Sequence, residues 1–316
     1  MSSDRLRRSY EKYAPVAKES KVEDLISQFE EYKTSSRRRF SSRFDELTYC
    51  PRNVEKAKIP LACMKMFDDL GFLNMINEEE LARDTNCCIL LIAAICHDVD
   101  HRALTNPYLM EQRGREHGSI VSRASVKDSV QERHHFYVTE NVLGREGCEI
   151  LKSLKTSMGK KLSKIKRLLL TTDASMDKFK DHISIFKELS DNVKEQDHIN
   201  SFYRDNDALI MDLIISCADL SDQVKDFENA REAACLVLKE FYDQGDKERK
   251  EGKPVLDIYK RDSPVYKGQI FFFQNMVLPL FLALKVAFPE SRRLYRNGQK
   301  NLEMWSTDEF KSFKVQ

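Results

Sequence analysis

The stretch that decides the fold is Leu90–Asn106, LLIAAICHDVDHRALTN. An apolar run closes on two histidines and two aspartates, all within His97–His101. The run has the length and spacing of a buried helix, which delivers its last turn inside the domain. Carboxylates there need an ion or a cationic partner. His97 and His101 are four apart, so on a continuing helix they share a face. Imidazole and carboxylate together suit zinc, manganese or iron, with magnesium at oxygen-rich positions. The competing reading is a polar cap, where cationic histidine favours a helix C-terminus.

The rest of the chain repeats this pattern. Ten glycines and eight prolines in 316 residues leave few breakers and few hairpin turns. Apolar residues recur at three- and four-residue spacing, as in ALIMDLIISCADLSDQVKDFENAREAACLVLKEFYDQGDKERK. The expected fold class is therefore all-α, a compact multi-helix domain. Residues 1–45 read as a polar and basic N-terminal arm or helix. Residues 46–302 read as the helical domain, and 303–316 as a C-terminal tail. EQRGREHGSIVSRASVKDS reads as a loop. KKLSKIKRLLL is a basic helical face, expected to be solvated, and DQGDKERKEGKP a charged helix end stopped by Gly252 and Pro254.

Composition excludes several classes. A net charge of +1 gives no footprint for nucleic acid or an anionic membrane. No stretch reads as approaching the roughly 20 apolar residues of a membrane span. The N-terminal residues contain no secretory-type apolar run. None of the eight cysteines stands in a C-x-x-C pair, which predicts reduced thiols in a cytoplasmic protein.

Asp219, in LIISCADLSD, is a second acid at the end of an apolar helix, and a metal shared with Asp98 would give both a partner. Asp212 lies two turns earlier on a similar face. ERHHFYVTE adds Glu132, His134 and His135. Adjacent side chains diverge on a helix, so one histidine at most should line a given site. His117, His182 and His198 sit in polar surroundings and read as surface residues.

HDVDHRALTN, ERHHF, LLTTDAS, CADLSD and YKGQIFFFQNMVLPLF, in this order, resemble the catalytic domain of the class I cyclic-nucleotide phosphodiesterases over about residues 45–290. The resemblance implies an all-helical (HD-type) domain with two divalent metals, zinc and magnesium or manganese. It implies metal-dependent hydrolysis of cAMP or cGMP to the 5′-monophosphate, by in-line attack of a hydroxide held between the metals, with a histidine protonating the leaving O3′. His97, Asp98 and Asp219 would ligate the first metal, and Asp98 would bridge to the second. His101, Glu132, His134 and Thr172 or Asp173 would surround the waters of that second ion. Gln269 matches the purine-binding glutamine, and Phe272 the aromatic that stacks on the base. As partners the resemblance implies a cyclic nucleotide and a second copy of the chain or a related phosphodiesterase subunit.

One motif departs. The family carries His-Asn-x-x-His-Ala upstream, where this chain reads Arg52-Asn53-Val54-Glu55-Lys56-Ala57. Arg52 stands at the position of the general-acid histidine, and Lys56 at that of a metal histidine. Arginine stays protonated and is a poor general acid. A Lys56 ammonium beside Asp98 and Asp219 would satisfy both carboxylates without the first metal. Three accounts follow: a phosphodiesterase with impaired activity, an inactive relative that binds cyclic nucleotide or a phosphodiesterase partner, and a misassigned exon junction over codons 45–65.

Overall fold

The computed structural model describes residues 85–112, 128–145, 151, 157–174, 184 and 207–315. All of these lie in one compact unit, Glu78–Gln316. The N-terminal arm, Arg52, Lys56, His117, His182, His198 and most of the expected loop before α3 lie outside the described residues.

Every regular element among the described residues is helical. They are α1 (Thr85–Cys96), α2 (Asn106–Glu111), α3 (Val130–Leu143), α4 (Met158–Thr171), α5 (Asp207–Asp219), α6 (Phe227–Lys250), α7 (Val265–Phe272), α8 (Leu278–Ala287), α9 (Arg292–Trp305) and α10 (Asp308–Lys311). A 3₁₀ turn, Leu220–Val224, joins α5 to α6, and a π-helical turn, Phe273–Val277, joins α7 to α8.

Two apolar clusters organise these helices. Ile89, Ile92 and Ala93 of α1 pack with Ile165, Leu168 and Leu169 of α4. Phe273, Met276, Val277, Leu280, Phe281 and Leu284 pack with Val224, Trp305 and Phe310. The helix α5 feeds both. Met211 and Ile215 enter the first cluster, while Leu213 and Cys217 enter the second. That explains a helix apolar nearly all round: it is buried between two layers.

Polar contacts fix several helix ends. Asp226 caps α6 by accepting from the Asn229 N–H at 2.9 Å. At the other end Gly252 takes φ +70°. The Gly252 N–H then reaches the Arg249 carbonyl, and the Lys253 N–H the Glu248 carbonyl. This pairing of two amides with two orphan carbonyls is the Schellman stop expected of glycine there. Asp212, grouped with Asp219 by spacing, turns away from it. It pairs with Arg167 at 2.6 Å and accepts from Thr171, binding α5 to α4. The basic face of α4 is not wholly solvated, because Lys161 is buried and donates to the Leu151 carbonyl.

Two stretches differ from their reading in sequence. Val265–Ala287 runs as 23 helical residues, long and apolar enough to cross a membrane by length and composition. Its lysines and the polar Gln274-Asn275 pair hide that length. Its Val265, Phe273, Met276, Val277, Leu280, Phe281, Ala283 and Leu284 are core residues of this unit. At the C-terminus, Trp305 and Phe310 are buried, and Phe313 and Val315 pack against the same cluster. Trp305 meets Phe227, Phe310 and Phe313 with ring centroids 5.1–5.9 Å apart. Residues 303–315 are thus part of the packed body.

Candidate metal centre

The helices α1 and α5 end side by side. The negative end of a helix dipole favours a cation. His97 follows α1 and Asp219 closes α5, with His97 Nε2 3.2 Å from Asp219 Oδ1. The same nitrogen lies 3.5 Å from Asp98 Oδ2. His97 Nδ1 donates to the Ala94 carbonyl at 2.8 Å. That bond fixes the ring and leaves Nε2 to face the two carboxylates, as a metal-binding imidazole requires. One ligand atom from each of His97, Asp98 and Asp219 falls within 4.8 Å of the others. A His-Asp-Asp set with open positions fits a divalent transition metal.

Without a metal, His97 holds a proton firmly. Burial depresses its pKa, but the Asp219 hydrogen bond and the charges of Asp219 and Asp98 outweigh burial and raise it to about 9. The site is more open than the sequence suggests, since the Asp98 side chain is 63% exposed. The desolvation argument for these acids is correspondingly weaker.

The helix does not continue through His101. It stops at Cys96, and Asp100 and Ala103 take φ of +60° and +54°. His97 and His101 therefore part company. Instead His101 stacks on His135, with ring centroids 5.6 Å apart. Its Nδ1 accepts from the Ala103 N–H at 3.1 Å, so in the neutral ring the proton sits on Nε2.

Both histidines of α3 adjoin this segment, but they diverge as the helix requires, and only His135 joins the Asp98–His101 group. His134 Nε2 lies 2.8 Å from Asp100 Oδ2. His135 Nδ1 donates to the Val99 carbonyl at 2.7 Å, and its Nε2 lies 3.8 Å from Asp98 Oδ1. The turn after α1 wraps across α3, so the two rings meet different residues of one segment. Burial above all holds the His135 pKa down to about 4, so the ring stays neutral. Asp98, His101 and His135 form a second group within 4.8 Å. In it, Asp98 and His135 offer lone pairs while His101 offers an N–H.

Glu132 is set by Asn106, whose Nδ2 donates to Glu132 Oε2 at 2.9 Å and whose Oδ1 accepts from the Gln131 N–H. Asn106 is a site residue that sequence reading missed, although it ends the quoted stretch. Thr172 Oγ1 donates to the Leu169 carbonyl at the end of α4. Asp173 is buried and accepts from Ser129 Oγ at 2.6 Å, tying α4 to the start of α3.

Gln269 is buried on α7, and its Oε1 has no hydrogen-bond partner among the described residues. A buried unpaired amide oxygen is costly, and a ligand N–H would satisfy it. Phe272, three residues on, is half-buried and sits edge-on to Phe273 at 6.4 Å.

Comparison with known proteins agrees with this arrangement. Residues 63–297 match the model of the 3′,5′-cyclic nucleotide phosphodiesterase family. A probable 3′,5′-cyclic phosphodiesterase of Caenorhabditis elegans is 28% identical over 240 residues, which cover 74% of this chain and 31% of that protein. A cGMP-specific 3′,5′-cGMP phosphodiesterase of Dictyostelium discoideum is 27% identical over 222 residues, covering 69% of this chain and 45% of that protein. The chain thus spans less than half the length of either curated relative. The phosphodiesterase domain of the Salpingoeca rosetta rhodopsin phosphodiesterase superposes with a TM-score of 0.68 at 21% identity, covering 86% of this chain and 93% of the other. With three-quarters of its length matched and its histidines and aspartates gathered at the helix ends, the chain belongs to the 3′,5′-cyclic nucleotide phosphodiesterase family.

Proposed function

We propose that this chain binds a 3′,5′-cyclic nucleotide, cAMP or cGMP, and hydrolyses it to the 5′-monophosphate at the His97–Asp98–Asp219 centre. The activity is impaired by Arg52 and Lys56. The observation that carries the reading is the convergence of His97 Nε2 and two carboxylates at the paired ends of α1 and α5. Divalent metals, zinc with magnesium or manganese, would supply charge neutralisation at the phosphate and an acidified water.

The chain's own residues do the rest. His97 is oriented by the Ala94 carbonyl, and Asp98 and Asp219 face it. His101 presents an Nε2 proton, and His135 a neutral ring. Gln269 offers an unpaired Oε1 to the N–H edge of a purine, and Phe272 offers a ring to its face. Arg52 can grip a phosphate through two N–H groups but holds its proton too tightly to give it to O3′.

The alternative is a relative without turnover, which binds cyclic nucleotide or another phosphodiesterase subunit. It draws on the same Arg52 and Lys56. The experiment is hydrolysis of cAMP and cGMP with excess Mn²⁺ or Mg²⁺ and added Zn²⁺, beside an Arg52→His/Lys56→His variant. Restoring a general acid should raise the rate by about 10²–10⁴. Equal rates would remove both positions from the explanation. No rate in either, with nucleotide bound, would favour the non-catalytic reading.

A further inference from the structure

We propose that Gln244 of α6 is a positioning residue for the metal centre: its amide fixes the far end of the Asp98–Thr105 segment and, through Asn106, the place of Glu132. This rests on reading His97–His101 as a metal centre.

The segment needs such an anchor. Asp100 and Ala103 both lie in the left-handed region, which non-glycine residues leave unless their surroundings over-determine them. The upstream end is continuous with α1 and is met by His134 and His135. The downstream end is Thr105, and its main-chain partner is remote in sequence. Its N–H donates to Gln244 Oε1 at 2.8 Å, and its Oγ1 accepts from Gln244 Nε2 at 3.0 Å. The same Nε2 donates to Glu248 Oε1 at 2.8 Å. An ionised Glu248 can only accept, so it turns the amide nitrogen toward itself and leaves the amide oxygen for Thr105. Gln244 is 2% exposed, so water offers no substitute.

The effect passes along the chain. Asn106 follows Thr105 directly, and it bridges the Gln131 N–H and the Glu132 carboxylate. Gln131 Nε2 returns a bond to the Leu104 carbonyl. Gln244 is thus joined through Thr105 and Asn106 to Glu132, while no hydrogen bond among the described residues ties it directly to His97, Asp98 or Asp219.

The test uses the full chain and three variants. Gln244→Met keeps length and loses both polar atoms. Gln244→Glu sets a carboxylate against Glu248. Gln244→Glu/Glu248→Gln exchanges the pair, so that an amide at position 248 donates to a carboxylate at position 244, which still accepts from the Thr105 N–H. Two readouts are taken: the Mn²⁺ dissociation constant by electron paramagnetic resonance, and amide hydrogen exchange of the metal-free chain. The two single variants should weaken Mn²⁺ about 10–100-fold and speed exchange in residues 98–106 while α6 stays protected. The exchanged pair should restore both. The proposal is overturned if residues 98–106 keep wild-type protection in the single variants, if α6 opens to the same extent, or if the exchanged pair behaves as the Gln244→Glu single does. A wild-type chain that binds no Mn²⁺ would sink the metal reading alone, and exchange would still decide the role of Gln244.

Discussion

His97 shows how one side chain links fold and chemistry. In the metal-free chain its pKa is raised from 6.5 to about 9. The stability this contributes is fully present below pH 6.5 and lost as pH rises through about 9. A metal at Nε2 must displace that proton. Between pH 7 and 8, Zn²⁺ or Mn²⁺ uptake should therefore release about one proton per chain from this ring. Calorimetry in buffers of different ionisation enthalpy measures it, and release well below one would mean that the metal does not take Nε2. The convergence of His97, Asp98 and Asp219 was legible in sequence because both stretches stand at the end of an apolar run. The broken helix at Cys96 was not: HDVDH holds neither glycine nor proline, and Asp100 takes a positive φ where His134 of α3 bonds it.

At the scale of elements, α6 carries the least legible information. Its DQGDKERK stretch reads as a charged helix end, and Gln244, Gly245 and Glu248 are buried there. Charge counting misses them because a helix in water and one pressed by a neighbouring turn can share a composition. Gly245 marks the contact, since a Cβ there would overlap the carbonyl oxygen and Cβ of Tyr259. Gly245→Ala should therefore destabilise the fold by about 1–3 kcal/mol. Gly268→Ala on α7 meets open space and should be neutral or stabilising by up to about 1 kcal/mol. Urea denaturation of the two variants checks the contrast, and equal shifts would refute it. The π turn at Phe273–Val277 is similarly silent in sequence, for FFFQNMVLPLF has a plain helical composition.

For the molecule as a whole, the all-helical class followed from the scarcity of glycine and proline and from the spacing of apolar residues. The closure of the core did not. Trp305 stands against the rings of Phe227, Phe310 and Phe313 at a place that reads as the start of a tail. Trp305→Ala should cost about 3–5 kcal/mol, read as a lowered urea midpoint. A shift under about 1 kcal/mol would show that residues past 302 do not close this core. The position of α5 has its own consequence. Met211 and Ile215 face one cluster, Leu213 and Cys217 the other, and the helix ends in Asp219. Neither cluster can melt without baring half of α5, so loss of order on one side is felt at once on the other. Cooperativity of unfolding and the approach of Asp219 to His97 thus share one helix, and that approach is lost at the same temperature at which the chain loses its shape.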